Sequence, residues 1–140
     1  MAESLKFHFD VDGDNFTSAG AASVEVKRKL RQLGFPAETI RRVSIAMYEG
    51  EINMVVHARG GVADVFVEPS CITIILADQG PGIPDIDLAM QEGYSTAPDN
   101  IRALGFGAGM GLPNMKRYTD EMKIDTVLGK GTTVTMKVHV

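Results

Sequence analysis

Hydrophobic and polar positions along this chain follow two different periods. Leu5, Phe7, Phe9 and Val11 alternate with polar neighbours, the period of a half-buried strand. After the turn sequence "DGDN", with Thr17 or Ser18 as N-cap, Ala22, Val26, Leu30 and Leu33 recur at helical spacing until Gly34. Pro36 suits the first turn of a second, longer helix that runs to about Ala58, where Gly60 and Gly61 stop it; Glu38 lies near its positive end. Ala63, Val65 and Val67 alternate again, and "CITIILAD" is a continuous β-branched run suited to a central strand, with Pro69 and Ser70 forming the hairpin between them. Residues 86–104 show little periodicity. The glycine-rich "GFGAGMGLPN" leads into a short helical pattern, and a last hairpin turns at "LGKG" before Val134, Met136, Val138 and Val140 alternate. These elements predict an α+β fold: a two-layer sandwich with one mixed, mainly antiparallel sheet and helices on one face. The other face is left wet or covered by a partner.

Composition narrows the class. A chain of 140 residues with 44% hydrophobic and 23% charged positions is expected to form one domain spanning 1–140. No stretch approaches the roughly 18 uninterrupted apolar residues of a membrane span, and "MAESLKFHFD" does not read as an export signal. With one cysteine, Cys71, no internal disulfide can form, and the cytoplasm is the expected compartment. The net charge of −4 and the lack of a basic run longer than "KRKLR" (Lys27 to Arg31) argue against nucleic acid as partner. Any phosphate must then be held by local geometry and a metal ion.

Four segments carry candidate chemistry. Glu49, Asn53 and His57 recur every fourth residue, so they form one polar stripe beside an apolar one of Ile45, Ile52, Val55 and Val56. Such a stripe is either a solvated face or a functional one. Asp78 directly follows the central-strand pattern and is followed by Gly80 and Gly82; a carboxylate there can accept from an exocyclic amine while glycines let a flat base approach, or the segment is a plain Asp-x-Gly turn. "GFGAGMGLPN" fits neither GxGxxG nor a P-loop, and "GKGTT" fails as a P-loop because Gly131 follows Lys130.

In this order, the Glu49–Asn53 helix, "DQGPGIPD", "GFGAGMGLPNMKRYTD" and "GKGTTV" resemble the N, G1, G2 and terminal Gly-Thr boxes of the GHKL ATPase and kinase superfamily, over roughly Ile40 to Val140. The form "GMGLPNMKRYTDEMKI" is most similar to the small bacterial anti-sigma-factor and switch serine/threonine kinases. The histidine kinases' phosphoacceptor hairpin does not fit before residue 40.

The resemblance implies a Bergerat ATP-binding fold and a set of roles. Asp78 would bind the adenine amino group, with Gly80, Gly82 and Ile83 beside the base and Thr132 acting through water. Asn53 would hold Mg²⁺, Glu49 would be the general base, and His57 would lie near the phosphates. Gly105, Gly107, Ala108, Gly109, Met110, Gly111 and Leu112 would form the phosphate-side segment, with Gly111 starting a helix that Leu112 and Met115 anchor. Residues 86–104 would be a lid carrying Arg102. The implied activity is Mg-ATP-dependent phosphorylation of a STAS-domain antagonist, or sequestration of a sigma-factor-like regulator, by a chain that can also form a homodimer. A non-catalytic module controlled by ATP or ADP is the alternative. Gly50 and Glu51 depart from the apolar or small residues usual between the boxed Glu and Asn; Glu51 adds a second carboxylate about 160° from Asn53 around the helix axis, which leaves Glu49 the better base.

Overall fold

The computed structural model describes residues 5–12, 20–58, 60–83, 90 and 111–140. In chain order the elements are β1 (Leu5–Asp12), α1 (Ala21–Gln32), α2 (Ala37–Ala58), β2 (Gly60–Glu68), β3 (Cys71–Asp78), α3 (Gly111–Arg117), β4 (Glu121–Val127) and β5 (Gly131–His139). The strands form one sheet in the order β1-β2-β3-β5-β4. All four pairings are antiparallel, so the sheet is not mixed.

Register explains why one face is dry. Phe7, Val65, Ile74, Met136 and Met122 lie side by side across the five strands, and Phe9, Ala63, Leu76, Val134 and Ile124 form the next row. Val65, Ile74 and Met136 are fully buried. α2 packs over β1, β2, β3 and β5, with α1 and α3 on either side of it. The facing stripe of α2 is Val43, Met47, Gly50 and Met54. Ile45, expected in the core stripe, is only partly buried, because its angular position points past the sheet; Ile52 and Val55 are buried outside the main cluster. The opposite sheet face carries Lys6, His8, Asp64, Phe66, Thr73, Ile75, Thr135 and Lys137, all partly or fully exposed.

The start of α1 differs from the sequence expectation. Thr17 and Ser18 lie outside the described residues, and the N-cap is Gly20, with φ of 95°. A side chain at 20 is excluded twice, by that conformation and by the Tyr48 ring, 2.7 Å from where a Cβ would stand. The cap comes from α2: Glu51 Oε2 accepts the backbone N–H groups of Gly20 (3.1 Å) and Ala22 (3.2 Å), and Oε1 accepts that of Ser23 (2.6 Å). α1 has no acidic residue in its own first turn, and Glu51 supplies the acceptors its N-terminus requires. Leu33, placed by spacing on the apolar face, is the C-cap and is 47% exposed.

Gly50 lies where α2 comes closest to the sheet. A Cβ there would stand 2.0 Å from Leu76 Cδ1 and 3.3 Å from Met115 Cε, so only glycine lets α2 settle onto β3 and α3 at once. The helix gives up about 1 kcal/mol of propensity for that approach.

Candidate nucleotide site

The site is assembled from two clusters on the helix-covered side of the sheet. The first belongs to α2 and α3. Glu49 and Asn53, one turn apart on α2, both face α3. Asn114 Nδ2 reaches Glu49 Oε1 at 3.4 Å, and Asn53 Nδ2 lies 3.8 Å from Met115 Sδ. Met115 is 1% exposed and Leu112 is buried, so α3 is anchored as its apolar residues predicted. Its first residue, Gly111, presses on the Asn53 amide: a Cβ there would sit 2.7 Å from both Oδ1 and Nδ2. Any side chain at 111 therefore has to displace Asn53.

The second cluster surrounds Asp78 at the end of β3. Its Oδ1 accepts the backbone N–H of Gly80 at 2.9 Å and of Thr132 at 3.2 Å, tying the strand end to its own loop and to β5. Both of these hydrogen bonds are to Oδ1, and among the described residues none is recorded to Oδ2. Thr132 is buried, and its hydroxyl pairs with that of Thr126 at 2.9 Å; Thr126 Oγ1 in turn accepts the Ile83 N–H at 2.8 Å. Two short links thus fix the segment holding Gly80, Gly82 and Ile83 to the β4–β5 hairpin.

The glycines of this cluster are required by the protein's own packing. A Cβ at Gly80 would stand 2.6 Å from Ala58 Cβ in the last turn of α2, and one at Gly82, where φ is 83°, would meet the Val127 carbonyl at 2.8 Å. The Gly80–Ala58 contact also joins the two clusters. Gly131, with φ of 143°, passes so close to β3 that a Cβ would lie 2.1 Å from the Asp78 carbonyl oxygen.

Of the expected site residues, the structure groups Glu49, Asn53, Gly111 and Leu112 in one cluster, and Asp78, Gly80, Gly82, Ile83 and Thr132 in the other. Gly105, Gly107, Ala108, Gly109, Met110, Arg102 and residues 86–104 other than Met90 lie outside the described residues, as does the His57 side chain. Asn114 and Thr126 escaped the sequence reading. Thr126 was readable only from the β4–β5 register, Thr126↔Thr132, and Asn114 only as a polar position between Leu112 and Met115.

The Glu51 carboxyl, the third acidic group of α2 after Glu38 and Glu49, is not part of the site. It is 2% exposed and committed to α1, and its burial holds its pKa above the ordinary 4.5, against the opposing pull of the three backbone N–H groups and the Ser23 hydroxyl. The described residues contain no cluster of three or more His, Cys, Asp or Glu fit for a metal, and no helix among them is long and apolar enough to cross a membrane.

A covered sheet with a Glu and Asn pair on the central helix, and an aspartate clamped at the end of the central strand, defines an α+β sandwich of the ATP-binding class. The chain belongs to the family of histidine kinase-like ATPase domains, whose pattern matches residues 15–138. It is 34% identical over 110 residues to the serine/threonine-protein kinase RsbT of Bacillus subtilis (strain 168), covering 74% of this chain and 75% of that protein. It is also 34% identical over 122 residues to an anti-sigma F factor of Clostridium novyi (strain NT), covering 83% and 82%. The fold is shared with the RsbU and RsbW domains of Rv1364c from Mycobacterium tuberculosis, at a TM-score of 0.64 and 16% identity, over 96% of this chain and 32% of that one. It is shared too with the mycobacterial sensor histidine kinase MprB, at a TM-score of 0.54 and 18% identity. These matches place the chain in the GHKL superfamily, beside the small anti-sigma-factor and serine/threonine kinases.

Proposed function

We propose that residues 1–140 form one ATP-binding kinase domain of the anti-sigma-factor type, which phosphorylates a serine or threonine of a STAS-domain antagonist and contacts a sigma-factor-like regulator. The observation that carries this reading is the contact between Gly111 and Asn53. The fold keeps a helix start bare of side chain so that one amide can occupy a fixed place, one turn from a carboxylate.

In this reading adenine lies at Asp78, with its exocyclic amine donating to Oδ2 while Oδ1 stays locked on Gly80 and Thr132. Gly82, Ile83 and Thr132 border the base. The triphosphate runs toward the start of α3, alongside Gly105, Gly107, Ala108, Gly109, Met110 and Gly111, with Leu112 anchoring the helix and His57 nearby. Asn53 fits a magnesium site: its Nδ2 is turned to Met115, no described donor reaches Oδ1, and Mg²⁺ needs few protein oxygens because it keeps its waters. When bound, the ion neutralises charge on the phosphate oxygens. Glu49 takes the proton of the acceptor hydroxyl as that oxygen bonds to the γ-phosphorus and the bond to the ADP oxygen breaks. A base so placed contributes about 10² to 10⁴ in rate.

Packing on Leu76 accounts for Gly50 and capping of α1 accounts for Glu51, so neither residue argues for the alternative of a non-catalytic module. The proposed setting is the cytoplasm, and the half-exposed sheet face around Phe66 and Ile75 is the surface proposed for a homodimer. Calorimetric titration with ATP and Mg²⁺, paired with mass spectrometry of a STAS-domain protein incubated with the chain and ATP, tests the reading. Nucleotide binding with a phosphorylated partner supports it; binding without phosphorylation favours the non-catalytic module.

A further inference from the structure

Beyond the boxed residues, and resting on the assignment of Glu49 as base, we infer that Asn114 is a positioning residue for the phosphoryl-transfer step. Its amide orients the Glu49 carboxylate. Asn114 is half-buried on α3 between the anchored Leu112 and Met115, a costly place for an amide without a partner. Its side chain does not cap the helix; its backbone carbonyl continues the helical ladder by accepting the Tyr118 N–H at 3.0 Å. Among the described residues, the hydrogen bond of Asn114 Nδ2 is to Glu49 Oε1 at 3.4 Å.

Among the described residues Glu49 takes part in no salt bridge, so the Asn114 amide is the group that holds its rotamer. Oε1 is held, and Oε2 is left to receive the proton. α3 touches both working residues of α2: Gly111 and Met115 border Asn53, and Asn114 borders Glu49. One short helix thereby sets the spacing between the metal-side amide and the base.

The test is the rate of single-turnover phosphate transfer from labelled Mg-ATP to a STAS-domain protein, with ATP affinity and Tm measured on the same samples. Asn114→Leu, which keeps the branching at Cγ and removes the donor, is expected to slow transfer about 3- to 10-fold with ATP affinity unchanged within twofold. Asn114→Asp keeps the shape but sets a carboxylate against Glu49, and is expected to be slower still. In a Glu49→Gln background neither substitution is expected to slow the residual rate further. Full activity in Asn114→Asp, a loss that follows Tm, or a loss that persists in the Glu49→Gln background overturns the inference, the last because it points to direct contact with substrate. Failure of the underlying reading is distinct: Glu49→Gln then transfers at the unmutated rate, or the unmutated chain transfers nothing.

Discussion

Glu51 Oε1 and the backbone N–H of Ser23 meet at 2.6 Å across 28 positions of chain, so the second helix caps the first. Replacing Glu51 by Ala leaves three N–H groups at the start of α1 without their acceptor. A loss on the order of 2–4 kcal/mol is expected, measured by urea unfolding monitored by circular dichroism. A change within 0.5 kcal/mol, typical of surface positions, would remove Glu51 from this role.

The same carboxyl predicts a pH dependence. Its folded pKa is raised above 4.5 by burial, so between 4.5 and that raised value the native state binds more protons than the unfolded chain. Its contribution is therefore fully present below pH 4.5 and is lost as pH rises through the folded value. Unfolding free energies of the unmutated chain and of Glu51→Gln, compared across this range, are expected to show the difference shrinking as pH rises. A constant difference would contradict the shift.

Gly50→Ala places a methyl group against Leu76 Cδ1 in a filled core. Overpacking of about 1–3 kcal/mol competes with roughly 1 kcal/mol of gained helix propensity, and since Leu76 is 2% exposed and has nowhere to turn, a lower Tm is expected. Adding Leu76→Val to Gly50→Ala is expected to recover stability relative to the single substitution, as calorimetric melting would show.

Gly111→Ala acts on the site rather than on the fold. Its methyl group must displace the Asn53 amide, so magnesium-dependent ATP affinity is expected to fall at least tenfold, with Tm changed by less than a few degrees. Titration of ATP with and without magnesium separates the two effects; equal weakening in both would detach Asn53 from the metal.

Much of this was legible in the sequence, and the part that was not has a common cause. Alternation at Val65 and Val67 or at Val134 and Met136 fixes which strand face is buried, because the side-chain period of 2 leaves no other choice. The spacing of Glu49 and Asn53 likewise put both on one side of α2. The purpose of Gly50 and Glu51, the pairing of Thr126 with Ile83, and the reach of Asn114 to Glu49 depend on contacts between residues 26 to 65 positions apart, which no local period encodes. The glycines at 80 and 82 were visible, but not the close approach of Ala58 and Val127 that excludes side chains there.

Asp78→Asn retains the shape of the strand end but cannot offer both a backbone acceptor and an acceptor to adenine on equal terms. ATP affinity is expected to drop by more than tenfold, with a stability change near 1 kcal/mol. Calorimetric titration and urea unfolding of the same sample measure both; undiminished ATP affinity would move the adenine away from Asp78.

The central claim, that this site transfers phosphate to a protein hydroxyl, is tested most directly by following label from ATP onto a STAS-domain protein. The unmutated chain is expected to label a serine or threonine of that protein. Glu49→Gln is expected to bind ATP as before and to transfer at least a hundredfold more slowly. Bound ATP with no label on the protein, or undiminished transfer by Glu49→Gln, would contradict it.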